Sequence, residues 1–134
     1  AAHPFENGSA AMLHRSIVET AASLGRDEQT YLRTVQPLLD TWPKIVKDVL
    51  GPLRFPKDPL AFARFGMKAL TSATFLSRRF QTLEAKALWG GMAGHSIQPL
   101  TNIATSAIAL VLLVTGHASG WPFPSKNPCL PGRK

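Results

Sequence analysis

The 134-residue sequence predicts an all-α fold, an irregular bundle of about five to six helices with little or no sheet. No segment sustains period-two alternation between turn signals, the pattern of a half-buried strand. Apolar residues instead recur at helical spacing, as in Leu13, Ile17, Ala21 and Leu24. The punctuation between these runs is helix punctuation: Gly25 stops one, and Asp58-Pro59 supplies an N-cap followed by proline at the first helical position.

The first helix is expected over Ala10 to Leu24, with Ser9 as its N-cap. Asp27 then reads as the N-cap of a second helix, with Asp27 and Glu28 at the positive end of its dipole. Leu32, Val35, Leu38, Trp42, Ile45 and Val49 form its apolar face. Pro37 and Pro43 lie inside this run; each removes an amide donor and crowds the preceding turn, so the helix is expected to be kinked or divided before ending near Leu50-Gly51-Pro52. Residues 51–59 hold three prolines and one glycine and form a stiff connector. A helix over Leu60 to Leu70 follows, then an interruption at Thr71-Ser72 and a short helix through Phe80. Thr82 caps the next helix, with Glu84 in its first turn, running to about Met92. Pro99 opens the last helix, which carries the apolar run Ile103 to Val114 and ends near His117. That run is shorter than the ~20 residues needed to cross a bilayer, so a buried core helix is the reading. Residues 1–124 are expected to form a single helical domain, and residues 125–134, rich in proline, glycine and lysine, a disordered tail.

The net charge is +7 and unevenly placed. Residues 1–58 hold seven basic and seven acidic side chains, whereas residues 59–134 hold eight basic side chains and one acid, Glu84. A basic half of this kind attracts anionic partners or simply confers solubility. Cys129 is the single cysteine, which excludes an intrachain disulfide framework. No basic stretch followed by an apolar core marks a secretory signal, so a cytoplasmic location, at the membrane surface in one reading below, is expected.

Chemistry-bearing patterns are sparse. A carboxylate dyad is not indicated where Glu84 is the lone acid of the second half. His95, His117 and Cys129 have no metal-ligand spacing, so no metal site is expected. Neither phosphate-cradling glycine motif occurs. The glycine-rich Trp89 to Gly94 falls in or at the end of a helix rather than after a strand, and reads as a place of close helix packing. No catalytic residue is therefore named.

Phe62, Phe65, Phe75 and Phe80 are interleaved with Arg64, Lys68, Arg78 and Arg79. Three readings stay open: core aromatics with charges on the solvent face, a membrane-surface helix, or a single-stranded nucleic-acid platform. The last lacks any recognised nucleic-acid-binding motif, and no nucleic acid is expected as a partner.

Four segments in order carry a resemblance: AHPFENGSAAMLHRSIVETAASLGRD, GPLRFPKDPLAFARFG, AKALWGGMAGHSIQPL and HASGWPFP. Over about residues 2–124 the chain resembles the central helical region of phytoene dehydrogenase-like FAD-dependent oxidoreductases, the family of carotenoid desaturases and retinol saturase-like enzymes. The resemblance implies a substrate-binding cap that acts on or shelters a long apolar molecule. It also implies FAD for the full-length family, held on a dinucleotide-binding domain whose fingerprint this chain lacks. After Trp-Pro-Phe-Pro the family pattern leads one to expect a glycine-rich segment, where this chain reads SKNPCLPGRK. That departure leads to the expectation of a fragment or truncated product that binds no cofactor alone and is not catalytic alone. An apolar cavity is then the feature to seek. Trp89, Met92, Ile97 and Leu100 are candidates for its lining, Phe62, Phe65 and Met67 for its entrance, and His95 and Trp121 for its polar-tipped residues. A cap without its companion domain would also expose apolar surface, so a homo-oligomer is expected, with self-association or peripheral membrane binding as the alternative functions.

Overall fold

The computed structural model describes residues 2–4, 10–52 and 55–120. Six α-helices dominate it, with one short ribbon in which β1 (Ala2–Pro4) pairs antiparallel with β2 (Ala10–Met12). The ribbon lies against the fifth helix. The first helix accordingly begins later than the sequence suggested. Helix α1 spans Ile17–Ser23, and Ser16 caps it by accepting from the Glu19 amide at 3.3 Å. Residues 10–12 alternate exposed, buried, exposed, a strand pattern too short to separate from the helical spacing around it. Thr20 closes the strand exit: its hydroxyl accepts from the His14 amide at 3.0 Å.

Gly25, at φ +59°, ends α1 in the left-handed conformation that glycine takes without strain. Helix α2 (Glu28–Val49) then runs as one element through both prolines, so the run is not divided at either of them. Pro37 and Pro43 both sit on the exposed face, so water is available to the two carbonyls deprived of amide partners. The apolar face of Tyr31, Val35, Leu38, Trp42 and Ile45 is continuous and buried, and its packing keeps the helix continuous across them.

Helix α3 (Pro59–Ala69) starts as its sequence dictates, with Asp58 accepting from the Ala61 amide at 3.0 Å. Ser72 caps α4 (Ala73–Ser77), which ends earlier than expected; residues 78–80 turn back instead. Thr82 caps α5 (Leu83–Gly94) by accepting from the Ala85 amide at 3.2 Å.

The last helix, α6 (Thr105–Ser119), starts six residues after Pro99 rather than at it. Ile97 (φ 54°) and Ala104 (φ 64°) are left-handed, which no continuous helix accommodates. The intervening backbone is tied sideways to the α3–α4 junction. The Leu70 carbonyl accepts from the Ala104 amide at 3.1 Å, the Thr71 carbonyl from Ser106 at 3.3 Å, and the Leu100 carbonyl from Thr74 at 3.1 Å. The Thr105 hydroxyl accepts from the Ala73 amide at 2.8 Å and donates to the Asn102 carbonyl at 2.8 Å. The C-terminal carbonyls of α3 thus cap the N-terminus of α6. From there α6 packs against α2, α3, α4 and α5, with Ala109, Leu110, Leu113 and Val114 fully buried.

Asp27 precedes α2, but its side chain does not cap that helix. It is fully buried, and its Oδ2 accepts from the Gln81 amide (2.8 Å), the Thr82 amide (2.7 Å) and the Thr82 hydroxyl (2.8 Å). Bending toward α5 rather than α2 places the carboxylate at the positive end of the α5 dipole. Hydrogen bonds to a charged group each contribute about 1.5–3 kcal/mol. Asp27→Ala is therefore expected to lower the stability of the whole domain by about 3 kcal/mol or more, read as a shift in the urea midpoint. Asp27→Asn, which keeps an acceptor oxygen, should lose less than half of that. Equal losses in the two variants would remove the carboxylate from this role.

Candidate functional site

Helix α6 carries no Asp, Glu, Lys or Arg, so no face of it prefers water. One stripe is nevertheless only partly covered: Ala107, Ile108, Val111, Leu112 and Thr115 share a helical face and remain half-buried or exposed. The Thr115 hydroxyl donates to the Val111 carbonyl at 2.6 Å, which satisfies it within the helix and leaves the stripe apolar. Along the first half of this stripe, the end of α2 (Val49, Leu50, Gly51) and α3 (Phe62, Phe65) rise as walls. They enclose a trough of about 360 Å³, open on one side. That volume lies toward the lower end of the ~300–1,000 Å³ range of small-molecule sites, which are characteristically apolar with few polar groups.

The walls follow from local chemistry. Phe65 is buried and stacks at a tilt on Trp42 of α2, with ring centroids 6.4 Å apart; Phe62, one turn earlier, is left at the mouth. Gly51 closes the α2 end, and a Cβ there would overlap the Lys47 carbonyl oxygen, so no other residue fits without a backbone shift. Asp48 is the polar residue of the rim, and its Oδ2 accepts from the Lys57 amide at 3.1 Å.

The candidate residues are not gathered into one cavity. Phe62 and Phe65 line the trough. Trp89 and Leu100 line a separate hollow of about 160 Å³ beside α4. The Trp89 indole nitrogen donates to the Ala73 carbonyl at 2.9 Å, and its ring stacks at a tilt on Phe80, so it holds α5 to α4. Met92 is a core residue. His95 is exposed at the end of α5, where its Nδ1 donates to the Gly91 carbonyl at 3.0 Å. Ile97 and Met67 are exposed and line neither cavity. Trp121 and the expected tail lie outside the described residues. Sequence reasoning missed Val49, Leu50, Ile108 and Val111. The signal was the absence of any polar face on residues 105–119, read as burial although the neighbouring helices leave one stripe uncovered.

The glycine-rich segment is helical throughout, within α5, and no strand leads into it. A Cβ at Gly90 or Gly94 would meet nothing within 4 Å, so these two glycines do not serve the close packing expected of them. A helix interior offers no cradle for a pyrophosphate, so this segment is not a dinucleotide-binding loop. Among the described residues, no group of three His, Cys, Asp or Glu side chains is placed to hold a metal ion. No described helix is long and apolar enough to cross a membrane.

Far from the trough, a buried polar pair joins the start of α2 to the end of α6. The Tyr31 hydroxyl lies 2.8 Å from His117 Nε2, and His117 Nδ1 lies 3.1 Å from the Arg15 carbonyl. A carbonyl only accepts, so Nδ1 carries the proton; Nε2 accepts, and Tyr31 donates. Burial raises the Tyr31 phenol above its ordinary value, keeping it a donor. With Tyr31 bonded to His117 at one end and Val49 lining the trough together with Ile108 at the other, α2 and α6 run antiparallel, and the trough lies at the end opposite this pair.

Comparison with family models, curated proteins and solved structures gives no match.

The His117 pair makes stability depend on pH. Burial holds the imidazole below its ordinary value of 6.5, against the opposing effect of the hydrogen bond it donates to the Arg15 carbonyl. The unfolded chain therefore takes up a proton that the folded chain refuses. The stabilisation is complete above about pH 6.5 and declines as pH falls toward the depressed folded-state value, at up to about 1.4 kcal/mol per pH unit. Thermal unfolding between about pH 7 and pH 5 should show this decline. His117→Gln should flatten it, and an unchanged slope in that variant would assign the decline to other groups.

Proposed function

We propose that this chain is a helical binding module that shelters a long apolar molecule in the trough between α2, α3 and α6. This is the part a substrate cap plays in the phytoene dehydrogenase-like flavoproteins it resembles. One observation carries the reading: the floor of the trough is an apolar stripe of the central helix, walled by Phe62, Phe65 and Val49, with a single carboxylate at the rim. Such a lining favours a hydrocarbon chain over a charged metabolite, because an ion on the apolar floor would lose hydration, and an anion would also meet the Asp48 carboxylate at the rim. The reading gives this chain binding and exclusion of water, and assigns redox chemistry to a flavin-bearing domain outside these residues.

The test is titration with all-trans-retinol, followed by quenching of tryptophan emission, since Trp42 touches the Phe65 wall. Saturable binding is expected. Ile108→Glu, at a position already 37 % exposed, should weaken it at least about tenfold by placing a charge on the trough floor, while unfolding stays close to that of the parent. Val111→Trp should weaken it by filling the volume. Absence of saturable binding, or binding indifferent to both changes, would overturn the proposal.

A further inference from the structure

Helix α3 is apolar in two opposite directions. Ala61, Phe65 and Ala69 face the core. On the far side, Leu60 (65 % exposed), Ala63, Met67 (70 %) and Leu70 (67 %) form a ridge in solvent. At about 100° per residue these four fall on one stripe, where a surface helix normally carries polar side chains. The bond from the Ala104 amide to the Leu70 carbonyl brings Ile103, 81 % exposed, to the end of the same ridge.

One flank of the ridge is basic. Arg64 and Lys68 follow each other at a spacing of four along it. Lys68 is half-buried and donates to the Thr34 carbonyl at 3.0 Å. Arg79, from the turn after α4, lies close enough to Lys68 to help lower its proton affinity, and Arg78 adjoins it. Residues 59–83 contain these four cations and no acid. Among the described residues, none of Arg64, Arg78 and Arg79 is paired with a carboxylate.

We propose that the α3 ridge docks on an anionic lipid surface, with Leu60, Met67 and Leu70 entering the headgroup–acyl boundary and Arg64, Lys68 and Arg79 meeting lipid phosphates and carboxylates. Charge complementarity decides the occupant. A second copy of the chain, related by a twofold axis on this ridge, would bring the same cations against each other at a net charge of +7 per chain. An anionic bilayer pairs them, and a fluid surface accommodates a convex row of side chains without a matching groove. The inference is independent of the proposed ligand, because the ridge residues do not line the trough.

The experiment is co-sedimentation of the full chain with vesicles of phosphatidylcholine alone and of phosphatidylcholine with about one-third phosphatidylserine. Binding is expected to the anionic vesicles and to fall as salt rises from about 0.05 M to about 0.5 M. Met67→Glu with Leu70→Glu should weaken it at least about tenfold. Arg64→Gln and Arg79→Gln should each weaken it about fivefold. Val18→Glu, equally exposed on α1, should leave it unchanged. Circular dichroism checks that each variant folds; should the double glutamate variant not fold, the two arginine variants carry the test. The proposal is overturned by absence of binding at low salt, by equal binding to neutral vesicles, or by indifference to the ridge and arginine changes. A dimer in the absence of lipid that Met67→Glu with Leu70→Glu dissociates would assign the ridge to a second copy and overturn it equally. Ile108→Glu should spare vesicle binding, so failure here and failure of the retinol experiment are told apart.

Discussion

A helix without a polar face has to be surrounded, and the arrangement of this domain follows from that constraint on α6. Residues 105–119 offer water only the Thr and Ser hydroxyls and the His117 ring. The Thr115 hydroxyl is turned back on its own helix, and His117 is enclosed against Tyr31. Four other helices pack on α6, and the buried apolar side chains among the described residues form a hydrophobic cluster that includes its core face. The transfer free energy of such side chains, about 1.5–3 kcal/mol each, is the largest favourable term available to a chain of this size. The trough is where that enclosure is incomplete.

Polar groups then fix which way the helices enclose it. Burying helix ends leaves many amides and carbonyls to satisfy. Asp27 serves the start of α5, Thr105 serves the α3–α4 junction, and the Leu70 and Thr71 carbonyls serve the start of α6. These bonds are specific in direction where apolar packing is not, so they select one arrangement of helices among those the apolar faces would permit. Ile97 and Ala104 hold left-handed backbone without being glycine, at a cost of the order of 1–2 kcal/mol each, sustained by the bonds on either side of them.

The helices that carry local signals were legible in the sequence. Asp58-Pro59, Ser72, Thr82 and Gly25 all mark real boundaries, because a cap acts within three or four residues of itself. Errors arose where a distant partner decided the outcome. Ala10–Met12 reads as helix until it is paired with Ala2–Pro4. The backbone after Pro99 reads as helix until Leu70 and Thr74 take its hydrogen bonds. Pro37 and Pro43 read as a kink or a division because their cost is local, and the helix is not divided because the packing on its apolar face is not local. The candidate site was half legible for the same reason. Phe62 and Phe65 stand out by their type, while Ile108 and Val111 matter only because the two walls beside them stop short of covering them.

The junction between the end of α3 and the start of α6 ties one wall of the trough and its floor to one set of bonds. Neither helix can fray there alone: releasing α3 uncaps α6, and releasing α6 leaves the α3 carbonyls without donors. The cavity therefore has no existence short of the complete fold, and occupancy and folding are thermodynamically coupled. A molecule that fills it at a hundred times its dissociation constant would raise the resistance to melting by about 2.7 kcal/mol without touching any other part of the chain.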